Sequence, residues 1–163
     1  MSARVLVAGV GNIFFGDDGY GCEVIRRLAG RRFAPGVHVE DYGIRGTHLA
    51  FELMSGYDAA VLIDAVARGG APGTLYVIEP DLDAASGTPD AHSMELQNVF
   101  TFMKMLEGVA PRIVIVGCEA GPQREEMGLS QAVKDAVDKT IPLIDEVLEK
   151  YVSRDVARTG GKG

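Results

Sequence analysis

The sequence predicts an α/β fold: a three-layer sandwich in which helices cover both faces of a five-stranded, mostly parallel sheet with one antiparallel strand. Three observations lead there. Runs such as Ala59-Ala60-Val61-Leu62-Ile63 and Ile113-Val114-Ile115-Val116 are apolar without interruption, as strands buried on both faces must be. Strand-like and helix-like patterns follow one another in the order β-α-β-α-β-β-α-β-α. One connector, Ala65 to Gly73, is too short and too rich in glycine to hold a crossover helix, so the strand after it must run antiparallel to the strand before it.

Each element has its own signal. The first strand starts at Val5 and stops at Gly9-Val10-Gly11; a loop follows, and Asp17-Asp18 open an amphipathic helix with Cys22, Val24, Ile25 and Leu28 on one side. A helix start carries unpaired N–H groups and partial positive charge, so Asp17 is placed to cap it and Asp18 is left to project elsewhere. Gly30 to Gly36 breaks the pattern, and Val37 to Tyr42 alternates as a second strand. After the loop Gly43-Ile44-Arg45-Gly46, Thr47 to Met54 reads as a short helix, and a third strand ends in Asp64. Thr74 to Ile78 is the fourth strand, and Ala91-His92-Ser93 leads into a helix with Leu96, Val99, Phe100 and Met103 on one face. Arg112 to Cys118 is the fifth strand. Ser130 reads as the N-cap of a last helix that ends near Tyr151 and is kinked by Pro142. This is one domain over residues 1–152, followed by a flexible tail over 153–163.

Composition narrows the function. The chain has 163 residues, 47% of them hydrophobic, enough for a real core, and a formal charge of −7 that argues against nucleic-acid or anionic-membrane partners. No apolar run reaches the length of a membrane span, and Met1-Ser2-Ala3-Arg4 leads straight into a strand without a signal-peptide pattern, so a cytoplasmic location is expected. The two cysteines, Cys22 and Cys118, form neither a disulfide framework nor a zinc motif and read as reduced core residues.

Two glycine motifs fail at the first loop. A dinucleotide fingerprint needs a third glycine where Phe14 stands, and a P-loop needs Lys and Ser/Thr where Asp17-Asp18 stand. Carboxylates in that place suit a cation better than a phosphate. In open α/β sheets ligands sit beyond the carboxyl ends of the strands. That edge collects Asp18 after the first strand, Asp64 after the third and His92 before a helix, an open set of donors for a divalent transition metal. Each residue also has a plainer role: Asp17 as a cap, Asp64 as a loop cap, His92 as an ordinary loop histidine. His38 and His48 read as structural.

The stretch Val7 to Gly21, with Gly9-Val10-Gly11-Asn12 and Gly16-Asp17-Asp18-Gly19-Tyr20-Gly21, resembles the opening G-x-G-N-x-(L/F)-x-x-D-(D/E)-x-x-G of the hydrogenase maturation endopeptidases. Further similar motifs follow in order: Asp41-Tyr42-Gly43-Ile44-Arg45-Gly46, Leu62-Ile63-Asp64-Ala65, Ala71-Pro72-Gly73-Thr74-Leu75, His92-Ser93-Met94-Glu95-Leu96 and Gly117-Cys118-Glu119. The resemblance runs from Arg4 to about Leu148. It implies a protease that removes a C-terminal extension from the large-subunit precursor of a nickel–iron hydrogenase after nickel insertion. Carried over residue by residue, it places the metal-contacting and catalytic groups on Asp18, Asp64 and His92, with nickel supplied by the precursor and other divalent ions able to occupy the site in vitro. The chain departs from the family in having Glu119-Ala120 where many relatives have Glu-Pro, and Tyr42-Gly43-Ile44-Arg45-Gly46 where relatives often carry Gly-Gly-Thr. That loop is expected to touch substrate through Gly43, Arg45 and Gly46, with Asp17 a further substrate-side residue.

No G-x-S-x-G elbow and no H-E-x-x-H helix is present, so metal-assisted hydrolysis is the expected chemistry. A non-catalytic nickel-checkpoint or chaperone protein binding the same precursor is the alternative.

Overall fold

Strands that feel apolar packing on both sides form the middle of the sheet. In the computed structural model, residues 3–82 and 93–160 are described, those from 151 on as backbone alone. β1 (Val5–Val10) and β3 (Ala59–Val66) are buried at every position, and β5 (Arg112–Glu119) at all but its first. β2 (Val37–Gly43) and β4 (Leu75–Ile78), which are partly exposed, lie at the two edges, giving the order β2-β1-β3-β5-β4. β1 pairs in parallel with both β2 and β3, and β3 with β5. Only β4 is antiparallel, as the short connector demands, and it pairs with β5, not with the β3 strand that precedes it.

Alternation along the strands sorts the helices into two layers. Val7, Val61, Ile63, Val114 and Val116 meet α1 (Tyr20–Leu28) and α4 (Gln131–Gly160). Leu6, Ala8, Leu62 and Ile115 meet α2 (Gly46–Leu53) and α3 (Met94–Met105). Asp64 shares the parity of Leu62, so its side chain belongs to the α2/α3 layer. The chain leaves β1 for β2 on one side and returns for β3 on the other, which makes the carboxyl ends of β1 and β3 the point where strand order reverses.

α1 lies directly on that point because of two glycines. A Cβ on Gly21 would stand 2.2 Å from the Ile63 carbonyl oxygen and 2.5 Å from that of Val10, and one on Gly9 would stand 2.5 Å from Ile25 Cγ1. Only glycine permits this approach of helix to sheet. It draws the loop carrying Asp17 and Asp18 onto the end of β3.

Two boundaries differ from the sequence expectation. α4 runs through Pro142 and past Tyr151 to Gly160, so residues 153–160 of the expected tail are helical; Ser153 to Thr159 contains no Gly or Pro to stop it. β3 continues two residues beyond Asp64, to Val66.

Candidate active site

The loop after β1 is folded back on itself. Gly11, at φ 139°, has Asp18 O where a Cβ would be, and its N–H donates to the Gly43 carbonyl at 3.0 Å. Asn12 N–H donates to Asp18 Oδ2 at 2.8 Å, which fixes that carboxylate over the switch point. A 3₁₀ turn, Gly16–Gly19, then leads into α1.

Asp17 does not cap α1, whose N-cap is Gly19 with no side-chain bond. Its carboxylate, 6% exposed, reaches across to the loop after β5. Oδ2 accepts from Gly121 N at 2.8 Å and from Ser130 Oγ at 2.9 Å, and Oδ1 accepts from Ser130 N at 2.7 Å. The expected cap is a brace between two loops. Ser130 precedes α4 as expected, with its carbonyl accepting from Lys134 N, but its hydroxyl serves Asp17.

Glu119, 3% exposed, plays the same part on the other flank. It accepts from Arg68 N at 3.0 Å to each oxygen, from Gly70 N at 2.9 Å and from the Tyr76 hydroxyl at 3.0 Å, and so fixes the connector between β3 and β4.

Asp64 is treated differently. It is fully buried, and neither carboxylate oxygen has a hydrogen-bond partner among the described residues. Burial pushes its pKa well above the ordinary carboxylate range, and the negative charges of Glu95 and Asp18 push the same way. The nearby Ser93 hydroxyl, second only to burial in its influence, and the Ala65 N–H oppose this, although neither meets hydrogen-bond geometry. Asp18, half-buried, is also raised, first by burial and then by Glu95, against the Asn12 N–H that favours its charged form. Among the described residues, the leading charges that act on these two carboxylates are acidic.

Between these groups lies a cleft of about 470 Å³ lined by Asn12, Asp17, Asp18, Met94, Glu95 and Gly121 among others. Asp64 does not line it; the next two residues, Ala65 and Val66, do. A second concavity of about 690 Å³, behind the same loop near Cys22 and Met127, has no buried unpartnered polar atom among its lining residues. The expected site residues therefore divide as follows. Asp18 and Asp64 come together at one sheet edge, where the charge of Asp18 bears on Asp64. Among the described residues no three His, Cys, Asp or Glu side chains are grouped so as to hold a metal ion, and His92 lies outside the described residues. Gly43, Arg45 and Gly46 line a smaller adjoining pocket, which meets the main cleft at Glu95.

Arg45 is engaged locally. Its guanidinium donates to the Asp41 carbonyl, lies 3.1 Å from His48 Nδ1 and 3.8 Å from Glu40, and stacks over the Tyr42 ring at 5.5 Å. Glu95 was not singled out from the sequence. Its signal was an acid in the first turn of a helix, which usually means only a favourable helix start.

The cysteines offer no nucleophile. Both are buried, and burial pushes each thiol up to about 12.

Comparison with known proteins decides the family. The hydrogenase maturation protease family model matches residues 22–147. The chain belongs to the hydrogenase maturation proteases. A Methanocaldococcus jannaschii protein provisionally named as a hydrogenase maturation protease is 32% identical over 146 residues, covering 86% of this chain and 93% of its own. The [NiFe] hydrogenase maturation protease HycI of Thermococcus kodakarensis superposes with TM-score 0.68 at 26% identity, over 90% of this chain and 93% of that one. The hydrogenase maturating endopeptidase HybD of Escherichia coli shares the fold, with TM-score 0.74 at 22% identity over 91% and 93% of the two chains. As a hydrogenase maturation protease the protein is a peptide-bond hydrolase. No described helix is long and apolar enough to cross a membrane.

Proposed function

We propose that this protease removes the C-terminal extension of a nickel–iron hydrogenase large-subunit precursor once nickel has been inserted, and that the cleft beside Asp18 is where it does so. One observation carries the reading: Asp64 is a fully buried carboxylate whose oxygens find no hydrogen-bond partner among the described residues, and it feels the negative charges of Asp18 and Glu95. A buried acid left in this state destabilises the fold unless something arrives to neutralise it. Hard oxygen donors at an open sheet edge fit a divalent cation, and the substrate brings one.

Nickel is part of the substrate in this scheme. Asp18, at the cleft, and Asp64, buried next to the lining residues Ala65 and Val66, hold the nickel-bearing end of the precursor, with His92 the third group implied by family resemblance. The bound cation polarises the scissile carbonyl or the attacking water. Water oxygen bonds to the carbonyl carbon, the C–N bond breaks, and the proton taken from water by a carboxylate passes to the leaving amine. The work belongs in the cytoplasm with the unfinished precursor, and the acidic surface needs neither nucleic acid nor membrane.

Purified protein mixed separately with nickel-loaded and nickel-free precursor, and the products weighed by mass spectrometry, tests this. The expected result is a shortened precursor only in the nickel-loaded sample. Nickel-dependent binding with no change of mass would instead make the protein a checkpoint or chaperone, and equal cleavage of both samples would remove the role of nickel.

A further inference from the structure

Of the carboxylates described at this end of the sheet, Asp17 and Glu119 brace loops and Asp18 and Asp64 are assigned to the substrate's metal; Glu95 has no role yet. Glu95 lies in the first turn of α3, two residues after the Ser93 cap, whose Oγ accepts from Leu96 N at 3.3 Å. It borders the main cleft with Asp18 and also the pocket formed by the Gly43–Gly46 loop, so it stands at the junction of the two. No hydrogen bond or ion pair to it occurs among the described residues, while its charge bears on both Asp18 and Asp64. A third negative group aimed at two acids that are already hard to ionise is unfavourable in the free protein. It becomes favourable when a cation enters between them.

We propose that Glu95 is a specificity-determining residue: its carboxylate favours substrates that bring positive charge into the cleft, acting through the field and without joining the metal. This rests on the reading of the site given above. Glu95 is not among the groups that the family resemblance places on the metal, and the described side chains form no three-membered metal cluster that includes it. One unit charge acting on a divalent cation across a solvated cleft changes affinity by roughly five- to tenfold and is weakened by salt.

A competing explanation makes Glu95 a favourable helix-start residue and nothing more. Glu95→Gln separates the two. If Glu95 serves the cation, the free variant melts at a higher temperature than the wild type, because a repulsive charge has gone. Its KM for nickel-loaded precursor also rises roughly fivefold at low ionic strength, a difference that shrinks in about 0.5 M salt. If Glu95 only supports α3, the variant melts lower and KM is unchanged, and the proposal is overturned. Asp18→Asn run alongside guards the underlying reading: normal processing by that variant would remove the site itself, whatever Glu95 does.

Discussion

Asp17 and Glu119 brace the loops around the carboxyl edge of the sheet, each accepting from several donors, while Asp64 on the strand between them accepts from none among the described residues. All three are buried aspartates or glutamates within one small region. The difference is what each was selected to hold. Asp17 and Glu119 hold backbone, and their donors are built into the chain. Asp64 holds none of the described residues, which is how a fold keeps a site ready for something outside it.

Substitutions should therefore divide by sign. Asp17→Ala, which orphans Gly121 N, Ser130 N and the Ser130 hydroxyl, should cost about 3 kcal/mol in urea unfolding, because a buried charged acceptor and three bonds go together. A cost near zero would mean that water replaces it and that no brace exists. Glu119→Gln keeps the shape and one acceptor oxygen, so about 1–2 kcal/mol is expected, with more lost when Tyr76→Phe is added only if the Tyr76 bond survives in the single variant.

Asp64→Asn should go the other way and leave the free protein as stable or more so at pH 7, by on the order of 1 kcal/mol. The sign follows from the raised pKa. Between the ordinary carboxylate value and the raised one, folded Asp64 keeps a proton that the unfolded chain gives up, so wild-type stability falls as pH rises through that window. Below the window both states are protonated and the advantage of the asparagine should vanish. Melting temperatures across that pH range check it; an advantage that persists in acid would have another cause. Arg45→Ala, with its guanidinium half-exposed and held by local contacts, should change stability by no more than about 0.5 kcal/mol. Unchanged precursor binding and processing by this variant would also end its role in substrate choice.

Much of the frame was readable in the chain. Unbroken apolar runs placed β3 and β5 inside the sheet, the nine-residue span from Ala65 to Gly73 forced β4 to turn, and the strand-end rule drew Asp18 and Asp64 to one edge. What could not be read was which carboxylate had partners. The donors to Asp17 lie 104 and 113 residues away, and no local pattern announces them. A local rule made Asp17 a helix cap, and a tertiary contact overrode it. Asp64 looked like a strand end because its charge interrupts an apolar run, yet pairing with β5 carries β3 on to Val66. Glu95 was hidden for the same reason, since an acid at a helix start already has an ordinary explanation.

The most direct test of the account measures folding and processing on one preparation of Asp64→Asn. The account predicts a protein that melts no lower than the wild type at pH 7 and yet leaves nickel-loaded precursor at full mass. A variant that trims the precursor at the wild-type rate would contradict it.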